Sequence, residues 1–600
     1  MMKERNQGVI EKQFPNISQK SFHHFRQRLE KVVKEYGASS VAGFISPDCS
    51  NEAAYLFQKF FRLVLDSNNI FTKSGPDVIG DPIHTMFTST GLLTLSPYLD
   101  DIMKLDVIVV VQISPMRVRD ELKQSIVELK QKGSKHIIWL GSEYDAISES
   151  SDLKVHIGPE GLSEILRAIS WQVHLHGGTD RQVMWRDNSG FQQMVRELKK
   201  YELDEMASYW DIDPQTVKNI ALLISRKHGV GFAAVSDNIL TKQQAVIFQD
   251  VVNLVLMTGH FGKHGRGIYL VPPGKNSIGL ALMGCSKNFL PGFLHINDPS
   301  AREWFNQSWN CQIPDKPGYE VTHLDNLVDT QVIRSVILLG FNSISDLAPF
   351  TGYTDSLSDV DLIVGAGSLF DERYHMWWPL FDKKYQKGSY IDFDRRLILT
   401  NDEYDASSYG YNDWFIVGQW LKVFNIGIGS SDHREIRNEI RENLPPILDY
   451  YNDNDSKISK QYFQMFLGNL SMLIDHEYTL DEIPLVKFNP ITSPAGSPKD
   501  TKSIWLLVRK TKEKIHGKFT PKLYIHPQTG FLAGITNFSR FFIQYQNNHI
   551  EVIGIFSDRI AVAAGVLETN NLDNIMKDFS STSNFFMVKI VVPECGESEL

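Results

Sequence analysis

Six hundred residues is too long for a single hydrophobic core, so several domains are expected. A hydrophobic fraction of 42%, a charged fraction of 22% and a net charge of −10 fit a globular chain and argue against nucleic acid as the main partner. Four scattered cysteines, Cys49, Cys285, Cys311 and Cys595, include no C-x-x-C pair, which excludes a locally encoded zinc knuckle, a cysteine-ligated cluster or a disulfide framework.

The opening MMKERNQGVIEKQF has no apolar signal core, and no apolar run nears the roughly 20 residues that span a bilayer. The expected location is cytoplasmic, with any membrane contact made through a partner. Residues 1–20 read as a polar arm. Residues 21–36 predict an amphipathic helix with Phe22, Phe25, Leu29, Val32 and Val33 on one face and His23 and His24 on the wet side. VAGFI at 41–45 predicts a short buried strand, and NEAAYLFQKFFRLVL a helix with Tyr55, Phe57, Phe60, Phe61 and Val64 inward.

LDVIVVVQI at 105–113 is a β-branched run that predicts a central parallel strand buried on both faces. A helix (ELKQSIVELKQKG) and a second strand (SKHIIWLG) complete a doubly wound β-α-β unit, and a third strand is expected at 153–157. His174 and His176 lack a third ligand nearby and do not make a metal site. Helices at 190–206 and 213–227 lead to the strand VGFAAV.

Residues 253–284, NLVLMTGHFGKHGRGIYLVPPGKNSIGLALMG, are the most informative stretch. A helical apolar run breaks into Gly259, Gly262, Gly265 and Gly267, followed by Gly274, Gly279 and Gly284. Glycine at this density permits positive φ and close backbone approach. His260, Lys263, His264, Arg266 and Lys275 are interleaved, and N–H groups beside fixed cations suit a phosphate. A tight helix-to-strand connection with surface cations is the plainer account of the same residues. The stretch is neither a Walker A loop nor a dinucleotide fingerprint.

Further buried strands are expected at SVILLGFN (335–342) and DLIVGAGSLF (361–370), and YQKGSYIDFDRRLIL spans 385–399. DYYNDNDSK and NPITSPAGSPKD read as loops, the second as a linker. From 503 onward, SIWLLVR, KLYIH, FFIQYQ, HIEVIGIF, IAVAAGVL and FFMVKIVV predict a small barrel.

A helix ending in LMTGHFGKHGRGIY, then PGKNSIG, then LALMG resembles the molybdopterin oxidoreductases. These include formate dehydrogenase and the large peripheral-arm subunit of respiratory complex I. The resemblance extends from about residue 21 to the end. Glu52, Arg62 and Asn69 fit the family's early strand–helix pattern, and Gly388, Ser389, Tyr390, Asp392, Arg395 and Arg396 fit its later GSYIDFDRR-like element. It implies an α/β multi-domain fold with doubly wound parallel sheets and a C-terminal double-psi β-barrel, in which LYIHPQTGFLAGI would be a hairpin. The implied organisation is a 1–20 arm, a discontinuous α/β domain (21–85 plus 275–425), an inserted Rossmann-like domain (86–274), a connecting segment (426–500) and the barrel (501–600). The implied cofactor site comprises Gly259, Gly262, Lys263, Gly265, Arg266, Gly267, Asn276, Gly279, Gly340, Asn342 and Gly388.

Several positions depart from the family. No four-cysteine segment precedes the first helix, so no iron–sulfur cluster is expected. Where formate dehydrogenases place a cysteine or selenocysteine ligand, counting from Asn68–Asn69 gives Asp77, a candidate molybdenum or tungsten ligand, although an aspartate after Gly-Pro is more simply an ordinary turn residue. Pro272 stands where a substrate arginine is expected. Gly141 replaces the acid that would hold the guanine edge of a pterin dinucleotide, the strand that ordinarily ends G-x-N ends Val111-Gln112-Ile113-Ser114, and Ser343 replaces a proline after Gly340 and Asn342. Trp377, Trp378 and Tyr390 are bulky enough to plug a central cleft.

Three functions follow. The first is a non-catalytic or cofactor-poor structural subunit of a redox complex that docks iron–sulfur or flavin subunits, like the complex I subunit. The second is an active bis-molybdopterin guanine dinucleotide oxidoreductase with Asp77 as ligand and a substrate other than formate. The third is an α/β protein that binds an unrelated nucleotide.

Overall fold

The computed structural model describes residues 19–78, 81–113, 120–131, 135–235, 242–262, 265–270, 274–320, 324–347, 357, 359–391, 397–400, 410–427, 432–444, 485–490, 503–510, 521–545, 548–557, 564–569 and 585–591. The chain divides into two compact units, residues 1–79 with 272–475, and residues 80–271 with 476–600.

The first unit supplies β1 (Val41–Ile45) and β2 (Ile70–Thr72). The chain then enters the second unit through β3 (Val107–Gln112), β4 (His136–Gly141), β5 (Leu153–His156), β6 (Val230–Val235) and β7 (Gly267–Leu270). It returns to the first for the small hairpin β8 (Phe289–Leu290) and β9 (Leu294–His295), and for β10 (Ser335–Leu339), β11 (Leu362–Gly367) and β12 (Met376–Pro379). A second hairpin, β13 (Ser389–Ile391) and β14 (Leu397–Leu399), follows.

In the first unit a five-stranded parallel sheet runs β12-β11-β10-β1-β2. β1 and β10 are buried at every residue, as an apolar strand covered on both faces must be. The helix Gln19–Tyr36 buries Phe22, Phe25, Leu29 and Val32 and leaves His23 and His24 exposed; Val33 is half-buried. Ser50 caps the helix Asn51–Lys59 by accepting from Ala53 N, and this helix is buried throughout. It continues into a π-turn at Phe60–Val64. Gly43 of β1 allows that turn to lie close, because a Cβ there would collide with the Phe61 ring. Trp378 does not plug a cleft. It stacks on Phe22 at 5.1 Å and packs against Phe25 and Trp420 between helix and sheet, because β12 is an edge strand whose inward face meets the Gln19–Tyr36 helix.

In the second unit the parallel order is β5-β4-β3-β6-β7. The helices Pro159–Leu175 and Lys242–Thr258 pack together over a buried ion pair, in which Arg167 Nε meets the Asp250 carboxylate at 3.0 and 3.1 Å. The single helix expected at 190–206 is two, Asn188–Leu198 and Leu203–Tyr209, because the chain turns at Lys199–Tyr201.

The last six strands are β15 (Ser503–Lys510), β16 (Lys522–Ile525), β17 (Arg540–Tyr545), β18 (Asn548–Phe556), β19 (Ala564–Thr569) and β20 (Phe585–Val591). They close a barrel in the order β15-β19-β16-β18-β17-β20 around Leu523, Ile525, Phe541, Ile543, Val552, Leu567, Val588 and Ile590. LYIHPQTGFLAGI is not a hairpin. After β16 the chain forms the helix Pro527–Leu532, started by a proline whose fixed φ suits the first helical turn. No helix among the described residues is long and apolar enough to cross a membrane. The loop DYYNDNDSK and nearly all of NPITSPAGSPKD lie outside the described residues.

Candidate functional site

In each parallel sheet the chain order reverses once, between β1 and β10 in the first unit and between β3 and β6 in the second. Ligands of such sheets bind beyond the carboxyl ends of the strands at this reversal. Gly340 and Asn342 follow β10 and lie at such an end, whereas Gly259, Gly262, Gly265 and Gly267 precede or open β7 and lie on the amino side of the second sheet. The glycine-rich stretch crosses the unit boundary at residues 271–272.

The glycines of the second unit face the chain itself. The helix Lys242–Thr258 ends at Gly259, whose φ is +65° and whose N–H donates to Leu256 O. A Cβ on Gly259 would stand 2.7 Å from an Asp180 carboxylate oxygen. On Gly265 it would collide with the Asp101 carbonyl oxygen, and on Gly267 with that of Leu95. Gly262 is also at positive φ and is buried. His260 is buried, with Nε2 2.9 Å from Ile224 O; burial lowers its pKa to about 4 and leaves the ring neutral. Arg266 is half-buried, Lys275 is exposed, and Lys263 and His264 lie outside the described residues.

In the first unit Asn276 is a latch. Its backbone N–H donates to Pro47 O (2.8 Å), its Nδ2 donates to Cys49 O (2.8 Å), and its Oδ1 accepts from Ile391 N (2.7 Å). The helix Ser277–Leu282 starts there, and a Cβ on Gly279 would collide with the Asn276 and Asn51 amide oxygens. Gly388 (φ +155°) approaches Ser50 and Glu52 so closely that a Cβ would stand 2.7 Å from Ser50 Cβ. Glu52 accepts from Ser389 N (2.8 Å) and pairs with Arg437 Nε (2.9 Å). Asp413 accepts from Ser50 N (2.7 Å), Ser50 Oγ (2.8 Å) and Trp414 N (2.7 Å).

Burial pushes the Asp413 carboxyl up to about 6 against the pull of those donors, and the nearby Glu52 charge adds to the rise. Between the ordinary 3.8 and about 6, the folded state keeps a proton that the unfolded chain has released, so stability falls as pH rises through that window. The span corresponds to about 3 kcal/mol. Urea unfolding at a series of pH values will show this fall, and Asp413→Asn will flatten it; an unchanged profile in the variant would refute the assignment.

Arg62 is fully buried in the π-turn and uses all five donors: Nε to Asn68 Oδ1 (2.9 Å), Nη1 to Gln58 Oε1 (2.6 Å) and Gly284 O (3.0 Å), and Nη2 to Ser286 O (3.1 Å) and Phe289 O (2.7 Å). Burial lowers it to about 9, still charged at neutral pH, and the Cys285 thiol and Asp77 carboxylate oppose that lowering. Asp77, the candidate metal ligand, is half-buried on the other side of the same turn, where it accepts from Ser286 Oγ and from Asn288 Nδ2 (2.6 Å). Asn69 bridges Ser39 O (2.8 Å) and Tyr319 N (3.0 Å). Among the described residues no group of three or more His, Cys, Asp or Glu side chains is placed to hold a metal ion.

Gly340, at φ +80°, lies against Cys49 Sγ, and Asn342 Oδ1 accepts from Ser368 Oγ (2.6 Å). The carboxylate of Asp371 accepts from Ser343 Oγ (3.0 Å), Ile344 N (3.1 Å), Arg373 N (3.1 Å) and the Arg373 guanidinium (2.9 and 2.7 Å). Burial alone would raise its pKa, but these donors hold it at about 2. At the end of β3, Gln112 Oε1 accepts from Ser142 N (3.1 Å) and Glu143 N (3.0 Å), and Nε2 donates to Glu143 O (3.2 Å).

The sequence matches the family model for molybdopterin oxidoreductases over residues 13–351, more than half of the chain. The chain belongs to the molybdopterin oxidoreductase family. The chain is 23% identical over 404 residues to the putative formate dehydrogenase YrhE of Bacillus subtilis (strain 168), covering 65% of this chain and 40% of that one. It is 22% identical over 392 residues to the alpha subunit of F420-dependent formate dehydrogenase 1 of Methanococcus maripaludis, covering 64% and 57%. To the NADPH-Fe(3+) oxidoreductase alpha subunit of Geobacter sulfurreducens it is 20% identical over 396 residues, covering 65% and 46%. The chain thus spans about half the length of the curated relatives it matches. Acetylene hydratase from Pelobacter acetylenicus shares the fold, with a TM-score of 0.62 at 11% identity over 92% of this chain and 82% of that one.

Against the family pattern, the structure gathers Asn276, Gly279, Gly388, Glu52 and Ser389 at one place, and Arg62, Asn68 and Asp77 around the turn 284–289. Asp392, Arg395 and Arg396 lie outside the described residues, as does Pro272. Sequence reasoning missed Asp371, Asp413 and Arg437. Only Asp371 carries a local signal, the Asp-x-Arg spacing to Arg373, while the others lie hundreds of positions from the groups they hold.

Proposed function

We propose that this member of the family is a structural, non-catalytic or cofactor-poor subunit of a cytoplasmic redox complex, docking iron–sulfur or flavin subunits in the manner of the large complex I subunit. One observation supports the reading: side chains at positions of the family pattern are engaged by the chain's own groups. Asn276 latches three segments, Arg62 spends five donors on protein acceptors, and Asp77 binds Ser286 and Asn288. The residues present do not fit a pterin dinucleotide of the family type, since Gly141 offers no acid and Gln112 fills the space beside it. Two relatives are named as alpha subunits, which accords with a role inside an assembly.

The competing reading, an active enzyme with Asp77 as the molybdenum or tungsten ligand, requires a metal to share carboxylate oxygens that already accept from Ser286 and Asn288. The test is to purify the protein from a molybdenum-sufficient host with whatever accompanies it, then to assay molybdenum, tungsten, iron and pterin per chain. The expected result is partner subunits without molybdenum or tungsten. Near-stoichiometric metal with two pterins, lost in Asp77→Ala while the protein stays folded, would establish the enzyme instead.

A further inference from the structure

We infer that the chain carries built-in stand-ins for the nucleotide cofactor, the Asp371 carboxylate in the place of a phosphate in the first unit and the Gln112 amide in the place of a guanine edge in the second. The inference rests on the structural reading above and specifies how the fold stands without a dinucleotide.

In the first unit, the loop after β10 presents Ser343 Oγ and Ile344 N beyond the strand end, next to the reversal between β10 and β1. Loop N–H and hydroxyl donors beside an arginine form the donor set that receives a phosphate oxygen. Here one carboxylate accepts from the hydroxyl, the loop N–H and the arginine. Asp371 reaches back 28 and 27 positions to Ser343 and Ile344 while holding Arg373 in a two-pronged pair. The Asp371 side chain is only 12% exposed, while Arg373 reaches it from the surface at 37% exposure. A phosphate entering this loop would have to displace a bound carboxylate and meet its charge.

In the second unit, Gln112 closes the end of β3 onto the turn after β4. Its three hydrogen bonds use both ends of the amide. A Cβ on Gly141 would stand 2.6 Å from Gln112 Oε1, 2.7 Å from Gln112 Cβ and 2.8 Å from the Trp139 ring, so an acid at 141 and Gln112 exclude one another. Aromatic rings cover the same strand ends: Tyr144 stacks on Trp139 at 5.2 Å and on His156 at 4.4 Å, and His156 meets His526 at 6.4 Å. A flat aromatic ladder with an amide at its edge occupies the ground that a base would need.

The experiment compares thermal unfolding of wild-type protein from a host that makes molybdopterin and from one that cannot, with inorganic phosphate and GDP added as separate probes. The expected Tm is the same from both hosts and unmoved by either probe. Asp371→Ala should lower Tm by several degrees and make it rise with added phosphate, because Arg373, Ser343 and Ile344 are left with an anion site. Gln112→Ala should acquire a smaller response to GDP. A higher wild-type Tm from the competent host, a wild-type response to either probe, or a folded Asp371→Ala that ignores phosphate would overturn the inference. If a variant does not fold, the wild-type comparison decides alone. Metal-free pterin dinucleotide on a chain still bound to its partners would defeat the stand-ins and leave the docking role intact; equal stabilities with no partner recovered would do the reverse.

Discussion

Arg62→Leu will destabilise the first unit by about 3–5 kcal/mol, the range found when one partner of a buried, hydrogen-bonded charge is removed. Leucine offers no donor and strands the Gly284, Ser286 and Phe289 carbonyls and the Gln58 and Asn68 side-chain oxygens in the interior. Each unsatisfied acceptor costs about 1–3 kcal/mol, with partial relief from relaxation. Arg62→Lys will recover less than half of the loss, because an ammonium has three donors and no planar fork. The measurement is the urea midpoint at constant slope, followed by a probe in the first unit. A loss below about 1 kcal/mol would mean that these carbonyls find other donors and that Arg62 is not what holds the 284–289 turn.

Gly265→Ala will cost about 2–4 kcal/mol, from a residue forced to keep φ at +75° and a methyl driven against the Asp101 carbonyl. Both sides of that contact are backbone, so no side chain can rotate away. Gly177→Ala is the control. Its φ is +72°, nearly the same, and nothing lies within 4 Å of the added Cβ. It should cost only the conformational part, about 1 kcal/mol. The difference between the two variants isolates the close approach, and equal losses would show that Gly265 is present for its backbone angle alone. A glycine kept to admit a phosphate would instead show its loss in ligand binding.

The elements legible in the sequence are those whose signal is local. Val107–Gln112 and Ser335–Leu339 read as buried parallel strands because β-branched runs without polar alternation fit no half-exposed surface. The Gln19–Tyr36 helix was visible from Phe22, Phe25, Leu29 and Val32 at helical spacing. The helix His433–Asn443, which supplies Arg437 to Glu52, lies in a polar stretch, and the helix Pro527–Leu532 stands where the family resemblance implies a hairpin, because a six-residue segment has too few turns to display a period.

The sequence by itself determined the alternation of strand and helix, the strand-rich tail and the family pattern of Glu52, Arg62, Asn276 and Gly279. These are properties of residue spacing and of glycine's backbone freedom. Only the tertiary structure decided what those residues face. Gly265 meets Asp101, Gly279 meets Asn51, Asp77 meets Ser286 and Asn288, and Asp371 meets Ser343. A glycine or a carboxylate declares that something must come close, an atom or a donor. Whether that partner is a ligand or the chain itself depends on contacts between segments up to hundreds of residues apart, which spacing along the chain does not encode.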